Sequence, residues 1–542
     1  MIKYIPISEE LRNYLERLNY EEVRYCDFLQ TVSRDSCPMT DEEWESSLEY
    51  YDDKMQEAKL AKQFAMEEIV EIYKNEIDNQ KWYIDFSRCY LVVGADISEC
   101  APKEKFEQYS EYLDRLYPEE IGKLSINSSH VKDITLQVTD ACNMACTYCY
   151  QHNKGHHSMS FETAKKFIDM ILDADELVNS YITSTISRGA VLDFIGGEPL
   201  LEIDLVSKVS DYFMGELFRR KHPWAIKFMF SVCSNGLLHF DPKVQEYLKK
   251  HSKHISYSIS IDGNKSLHDS CRVDLAGNGT YDRAIAAVNH YREALDGYMG
   301  SKMTIAPGNV DKVFEAVSYM IEKNGYNHIN LNCVYEEGWT INHATTLYWE
   351  LHKLADWIVE KGLQDKVELS IFEGENGQPM REDDNSNWCG GTGLMIALDY
   401  KGDIFPCLRY MESSVSDKVP PYIIGNLDCG INKIQEHKDR LECMSCITRR
   451  SQSTDECFNC LIAKGCAWCS AYNYEVFGTP NKRATFSCDM HKARSLATVY
   501  YKRAIGKEYP LYCPKEWAIE IIGEEEYNKL YAMEVTKIGN NC

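Results

Sequence analysis

The sequence predicts an α/β protein: a partial (β/α)6 TIM-like barrel, an N-terminal mainly helical region, and a C-terminal loop-rich domain dense in cysteine. Three observations predict it. Strand-like and helix-like segments alternate six times between residues 134 and 363. Residues 1–127 are rich in Glu, Tyr and Lys and carry apolar residues at helical spacing. Residues 370–495 have little apolar periodicity and hold most of the remaining cysteines, so that region needs covalent or metal staples. The expected domains are 1–127, 128–369, 370–495 and a helical tail, 496–542.

Each element has a local reason. In the N-terminal region, Asp41 is placed to cap a helix whose apolar positions continue through Met55, Leu60, Phe64, Ile69 and Ile72. Segments 81–86 and 89–93 read as strands closing the region. The barrel strands are expected at 134–139, 191–195, 226–232, 255–261, 302–306 and 328–334. Phe161, Ala164, Phe167, Ile168, Ile171 and Leu172 form one helical stripe, and Asp241-Pro242 starts another helix as cap and first-turn proline. Alternation of this kind implies parallel strands with right-handed crossovers. Six units fall short of the eight that close a barrel, so an open one is expected, working at the C-terminal ends of its strands.

The chain has 542 residues, 22 cysteines and a formal net charge of −25. That length suits two or three domains. No apolar run is long enough to span a bilayer, and the first residues turn polar too soon for a signal peptide, so a cytoplasmic protein is expected. Clustered thiols in a reducing compartment point to metal ligation rather than disulfides. Strong acidity without a basic block argues against nucleic acid and membrane as partners and fits a small-molecule or peptide substrate.

Just after the first strand come Cys142, Cys146 and Cys149. Three thiolates at this spacing can hold three irons of a [4Fe–4S] cube and leave the fourth open to a ligand with an amine and a carboxylate. A zinc site is the competing reading. The later strand ends carry small polar clusters: Gly196-Gly197-Glu198-Pro199, Ser234-Asn235-Gly236, Ser260 with Asp262-Gly263, then His268, Asp269 and Arg272 ahead of Gly279–Asp282. In this order they resemble the radical S-adenosylmethionine (SAM) enzymes, whose aromatic residue before the last cysteine is Tyr148 here. The resemblance implies that Cys142, Cys146 and Cys149 hold the SAM-cleaving cluster. It also implies that Gly196, Gly197 and Glu198 bind the SAM amino group, and that Ser234, Asn235, Ser260, Asp262 and Arg272 contact its ribose and carboxylate. Segment 303–307 falls where the family often contacts adenine.

Downstream, Cys389-x12-Gly402-x4-Cys407 precedes Cys457-x2-Cys460-x5-Cys466-x2-Cys469 and then Cys488. This resembles the SPASM domain, the auxiliary iron–sulfur module of radical SAM enzymes acting on peptides and proteins; structural zinc is the alternative. By resemblance Cys457, Cys460, Cys466 and Cys488 hold one [4Fe–4S] cluster, and Cys389, Cys407 and Cys469 another. That makes three clusters. The family pattern has three residues between its last two cysteines where this chain has two, Ala467 and Trp468. It also has a further cysteine between the positions of Cys389 and Cys407, absent here. The fourth iron is therefore open, or is ligated by Cys443 or Cys446.

Residues 137–151, 153–160 and 489–494 are similar to the maturases of ribosomally synthesised peptides with repeated Cys-x-x-x motifs. This implies a precursor peptide with a leader as substrate, an electron donor such as flavodoxin or ferredoxin, and sulfur-to-carbon thioether crosslinks as product. In that chemistry SAM yields a 5′-deoxyadenosyl radical, which takes hydrogen from a peptide carbon; the carbon radical meets a sulfur, and an auxiliary cluster accepts the remaining electron. Alternatives are a carbon–carbon crosslinking or epimerising maturase, and a formylglycine-generating sulfatase maturase. The last uses an aspartate directly after the cysteine matching Cys407, where this chain has Leu408 and Arg409. Peptide recognition is expected of residues 1–127, through a strand edge near 81–93, with a purely stabilising helical cap as the competing role. Cys233 and Cys333 read as small core residues within strands, His152, His156 and His157 as loop residues, and Cys271 as ambiguous. Cys26, Cys37, Cys89, Cys100, Cys513 and Cys542 lack ligand spacing.

Overall fold

A computed structural model describes residues 3–6, 9–36, 38–78, 80, 82–85, 90–94, 131–173, 189–295, 297–381, 384, 389–392, 395–431 and 434–538. Cys37, Cys89, Cys100 and Cys542 lie outside them.

All six expected barrel strands form: β4 (Val131–Thr139), β5 (Gly189–Gly196), β6 (Phe228–Ser234), β7 (Ile255–Ile259), β8 (Ser301–Ile305) and β9 (His328–Cys333). They are parallel, but they divide into two sheets. β4 to β7 pair in sequence order, while β9 pairs with β8 on one side and with the short β10 (Glu368–Leu369) on the other. The expected half-barrel is therefore split between its fourth and fifth strands, bridged there by the Ser301 hydroxyl donating to Ile261 O at 3.5 Å. Side chains account for the gap. The outward residues of β5 and β6, such as Leu192, Phe194 and Phe230, are buried under helices. On the inner face Asp193, Ser231, Ser258 and Thr304 are half-buried, while Cys233, Ser256 and Lys302 are exposed. A polar inner face has no apolar surface to drive closure. Cys233 thus departs from its expected place in the core, whereas Cys333 is buried.

The loop-rich region extends the first sheet. β11 (Met395–Leu398) pairs parallel with β4, and β12 (Asp403–Phe405), β13 (Gly425–Asn426) and β14 (Gly430–Ile431) follow as an antiparallel meander. The free edge of the first barrel strand is thereby covered by the cysteine-bearing region. Helices Cys488–Ala504, Lys515–Ile522 and Glu524–Ile538 form the tail.

At the N-terminus, helices Glu9–Thr31 and Asp41–Ile72 pack as a pair. Thr40 caps the second, exchanging bonds with Glu43 (Glu43 N to Thr40 Oγ1, 3.1 Å; Thr40 N to Glu43 Oε2, 2.7 Å), so Asp41 is its first turn rather than its cap. The buried face is Ser47, Tyr51, Ala58 and Ala65; the expected Leu60 and Phe64 are 51% and 65% exposed. Small alanines let the two helices approach, which turns the larger residues outward. This pair anchors at the N-terminal ends of the barrel strands. Buried Arg24 donates to the carbonyls of Ile226, Phe228 and Lys253, and the Tyr20 hydroxyl also donates to Ile226 O. Beyond the helices, β1 (Lys3–Pro6), β2 (Trp82–Asp85) and β3 (Tyr90–Val93) form an antiparallel sheet of order β1-β3-β2. β1 lies outside the sequence expectation, and it makes segment 90–93 the central strand, with β2 and β1 as edges among the described residues.

Candidate active site

The cysteine loop after β4 is held by backbone rather than by its own periodicity. Gly197 N donates to Thr139 O (3.1 Å) and Glu198 N to Ala141 O (2.9 Å). A Cβ on Gly197 would lie 2.3 Å from Ala141 O and 2.7 Å from Cys142 Cβ, so glycine is required for the second strand end to reach the cysteine loop. From the other side, Ala145 N donates to Val273 O (2.9 Å) and Thr147 N to Cys271 O (3.0 Å). Asn235 Nδ2 reaches Asn143 Oδ1 at 2.7 Å. Three strand-end segments thus converge on one loop, as their order in the sequence predicts.

Glu198 is 1% exposed. Its carboxylate accepts from Ser234 Oγ (2.8 Å), Asn235 N (2.8 Å) and Leu200 N (3.2 Å), and burial pushes its pKa up to about 7. A carboxylate has about four acceptor positions, so roughly one remains for a ligand's amine. Ser234 also accepts from Gly236 N, and Asn235 Oδ1 from Leu237 N. Both side chains are therefore supports that fix Glu198 and Asn143. Ser260 donates its backbone N–H to Ser234 O at 3.0 Å.

Asp262 is the hub of the opposite wall. Its Oδ2 accepts from the Tyr148 hydroxyl and from Arg272 Nε (2.8 Å), and Arg272 lies 5.4 Å from the Tyr148 ring centre. Asp262 Oδ1 is buried without a partner among the described residues, an acceptor suited to a ligand hydroxyl. His268, 1% exposed, accepts from Asp262 N and faces Thr280 through its other nitrogen at 3.1 Å; burial lowers its pKa to about 4, so it stays neutral.

The described cysteines are free thiols, and the ligand candidates fall into three groups. Cys142 interacts with Cys146, and Cys146 with Cys149. Cys389 and Cys469 both act on Cys407, whose thiol burial raises strongly; a Cβ on Gly391 would touch the sulfurs of Cys407 and Cys389 at 3.3 and 3.5 Å. Cys466 and Cys457 act on Cys488, which burial pushes up to about 12, and on Cys460. Arg483 lies among this last group, 4.1 Å from the Trp468 ring centre and donating to Cys466 O at 2.8 Å. Three or four thiols gathered in one place fit iron–sulfur ligation, in which the metal takes the thiol proton's place. Cys443 instead hydrogen-bonds Tyr422, and Cys446 is exposed.

Residues that sequence reasoning left unassigned join the first two groups. Tyr150 follows Cys149, and Arg409 follows Cys407 by two. The guanidinium lies 4.8 Å from the Tyr150 ring centre and pairs with Glu336 at 3.0 Å, close to Cys469. Arg409 Nε is buried with no partner among the described residues. His157, expected as a plain loop residue, pairs with buried Asp140 at 2.7 Å and stacks on Tyr400 at 4.5 Å, tying the cysteine loop to the meander. Asp193, whose pKa burial raises to about 6, sits on the inner face with Ser231 as partner. Nothing in its sequence context distinguishes it from an ordinary strand residue.

Residues 136–319 match the Radical SAM superfamily profile. This segment is a radical SAM domain. Such a domain implies a [4Fe–4S] cluster and SAM, and the residues above fit both. The uncharacterized protein MJ0907 of Methanocaldococcus jannaschii is 34% identical over 133 residues, 24% of this chain; the chain spans 39% of that protein. The radical SAM cyclopropyl synthase TigE of Paramaledivibacter caminithermalis is 22% identical over 77% of this chain and 84% of its own length. The mycofactocin maturase MftC of Mycolicibacterium smegmatis is 23% identical over 60% of this chain and 74% of its own. Native anSMEcpe with bound AdoMet superposes with a TM-score of 0.51 at 18% identity, covering 69% of this chain and 98% of that one, a likeness of fold. No helix among the described residues is long and apolar enough to cross a membrane.

Proposed function

We propose that this chain is a peptide maturase that closes Cys sulfur-to-carbon thioether crosslinks in a ribosomally made precursor peptide. The supporting observation is the Arg409–Tyr150 contact, 4.8 Å, which joins the loop of Cys149 to the three-cysteine group of Cys389, Cys407 and Cys469. A peptide thiol held at the three-cysteine group would lie beside the carbon radical it has to meet. The maturase among the relatives and the cysteine pattern of the C-terminal region support a peptide substrate.

In this reading three [4Fe–4S] clusters are held by the three cysteine groups, and when bound they supply, with SAM, the radical and the electron acceptor. The protein's share is positional. Glu198 accepts the SAM amine. Asp262 Oδ1 accepts a ribose hydroxyl, and Arg272, fixed through Nε, offers its remaining donors to the carboxylate. Gly197 keeps the cysteine loop against the second strand. Cys443 is engaged by Tyr422, which supports an open iron in the three-cysteine cluster. The helix pair at the N-terminus stabilises the barrel, and the sheet beside it offers an edge, β2 or β1, to a leader peptide as an added strand. An electron donor of the flavodoxin or ferredoxin kind completes the system in the cytoplasm.

Co-expression with a precursor peptide encoded beside the gene tests this reading. A loss of about two mass units per bond, with no free thiol, is the thioether outcome. An unchanged mass with altered stereochemistry would favour an epimerase, and retained thiols with lost mass a carbon–carbon crosslinker. The formylglycine alternative lacks its aspartate at Leu408.

A further inference from the structure

We propose that Ser470 is a positioning residue that donates a hydrogen bond to the Cys389 sulfur and thereby raises the reduction potential of the cluster held by Cys389, Cys407 and Cys469. This rests on the cluster reading given above.

Ser470 is fully buried, and its Oγ lies 3.1 Å from Cys389 Sγ. It opens the helix Ser470–Phe477 directly after Cys469, which occupies the cap position, so the hydroxyl's place is set by the same backbone that places a ligand. As a free thiol, Cys389 and the serine can each donate. As an iron-bound thiolate, Cys389 has no proton and the hydroxyl must be the donor. One acceptor competes: Tyr410, whose hydroxyl interacts with Ser470 and donates to Met444 Sδ at 4.0 Å. A neutral phenol oxygen is a weaker acceptor than a thiolate, so the proton goes to sulfur. Ser470 is fully buried and Cys389 half-buried, and the low local dielectric around the hydroxyl strengthens the bond.

A donor on a ligand sulfur stabilises the reduced, more negative cluster and moves its potential upward. The four-cysteine group has positive charge from Arg483 beside it instead. Two auxiliary sites in one small domain are thus tuned by different means. An upward shift at the three-cysteine site, the one next to Tyr150 through Arg409, favours it as first acceptor of an electron released at the peptide.

The test is an electron paramagnetic redox titration of reconstituted full-length protein. The signal of this cluster is identified as the one lost in Cys389→Ala. In Ser470→Ala its reduction equilibrium should fall about tenfold, which is about 59 mV for a one-electron couple. Ser470→Thr and Ser470→Val fill equal volume and differ by the hydroxyl. Thr should keep the midpoint and Val lower it, which preserves the test if the alanine variant loads iron poorly. An intact signal with an unmoved midpoint in Ala and Val overturns the inference alone. Absence of any Cys389-dependent signal overturns the cluster assignment, and the inference with it.

Discussion

The two cysteine groups of the C-terminal region are built differently. The four-cysteine group gathers Cys457, Cys460 and Cys466 from one short stretch, and Cys488 from the start of a long helix, around Arg483. The three-cysteine group draws Cys389 and Cys407 from either side of β11 and β12, and Cys469 from a helix cap. Its surroundings are Arg409, Glu336, Tyr410 and Ser470. One group brings four thiols together around a buried cation bound into its backbone. The other brings three thiols together and reaches the loop of Cys149 through Arg409 and Tyr150. In the function proposed above, the four-cysteine site relays an electron and the three-cysteine site meets the substrate, and neighbouring side chains, more than cysteine count, set that difference.

The comparison breaks most completely if the radical site is not where we place it. Changing Cys142, Cys146 and Cys149 to Ala should abolish 5′-deoxyadenosine formation while leaving about eight of roughly twelve irons, by the count of four per cube. Continued 5′-deoxyadenosine release would refute the assignment. Next in size, Cys488→Ala should remove about four irons and leave SAM cleavage intact; iron analysis that shows tight zinc in their place would point to a structural metal.

Arg483→Ala sharpens the contrast in stability. It removes a buried cation that donates to Cys466 O and stacks on Trp468, at a cost of roughly 3 kcal/mol, read as a lower denaturation midpoint with loss of iron from the four-cysteine site. A midpoint shift of under about 1 kcal/mol would show the cation is not needed there. The same side of the domain should carry an acid sensitivity. His491, buried against Ala467 O with Arg494 and Arg483 nearby, has its pKa lowered by burial from 6.5 to about 3. The unfolded chain takes up this proton below pH 6.5 and the folded chain does not. Stability from His491 is therefore full above that pH and falls as pH drops toward 3, by about 2 kcal/mol at pH 5. His491→Gln should flatten that part of the profile; an unchanged slope would contradict it.

The smallest expected effect falls on the three-cysteine site. Cys443→Ala with Cys446→Ala should leave iron content as it was, because Cys443 is engaged by Tyr422. Loss of about four irons would mean the set is closed by one of these thiols, and the substrate-binding role would fall.

The sequence by itself determined the elements and the order of the chemistry. The spacing of Cys142, Cys146 and Cys149, the six strands, and the polar clusters at strand ends are local patterns, and local patterns follow from periodicity and turn residues. The division of the later cysteines into two groups came from the family resemblance, since spacing alone sets Cys469 beside Cys466. Tertiary structure alone decided the contacts between distant segments. The split between β7 and β8 depends on two strands' inner faces together. The burial of Ala58 rather than Leu60 depends on how closely a second helix approaches. Ser234 and Asn235 turned out to hold Glu198 and Asn143 because those partners come from other strand ends. Arg409, Arg483 and Ser470 carry no spacing signal. Each acquires its role from a neighbour brought to it by the fold: a tyrosine ring, a tryptophan ring and a sulfur 81 residues away in the chain.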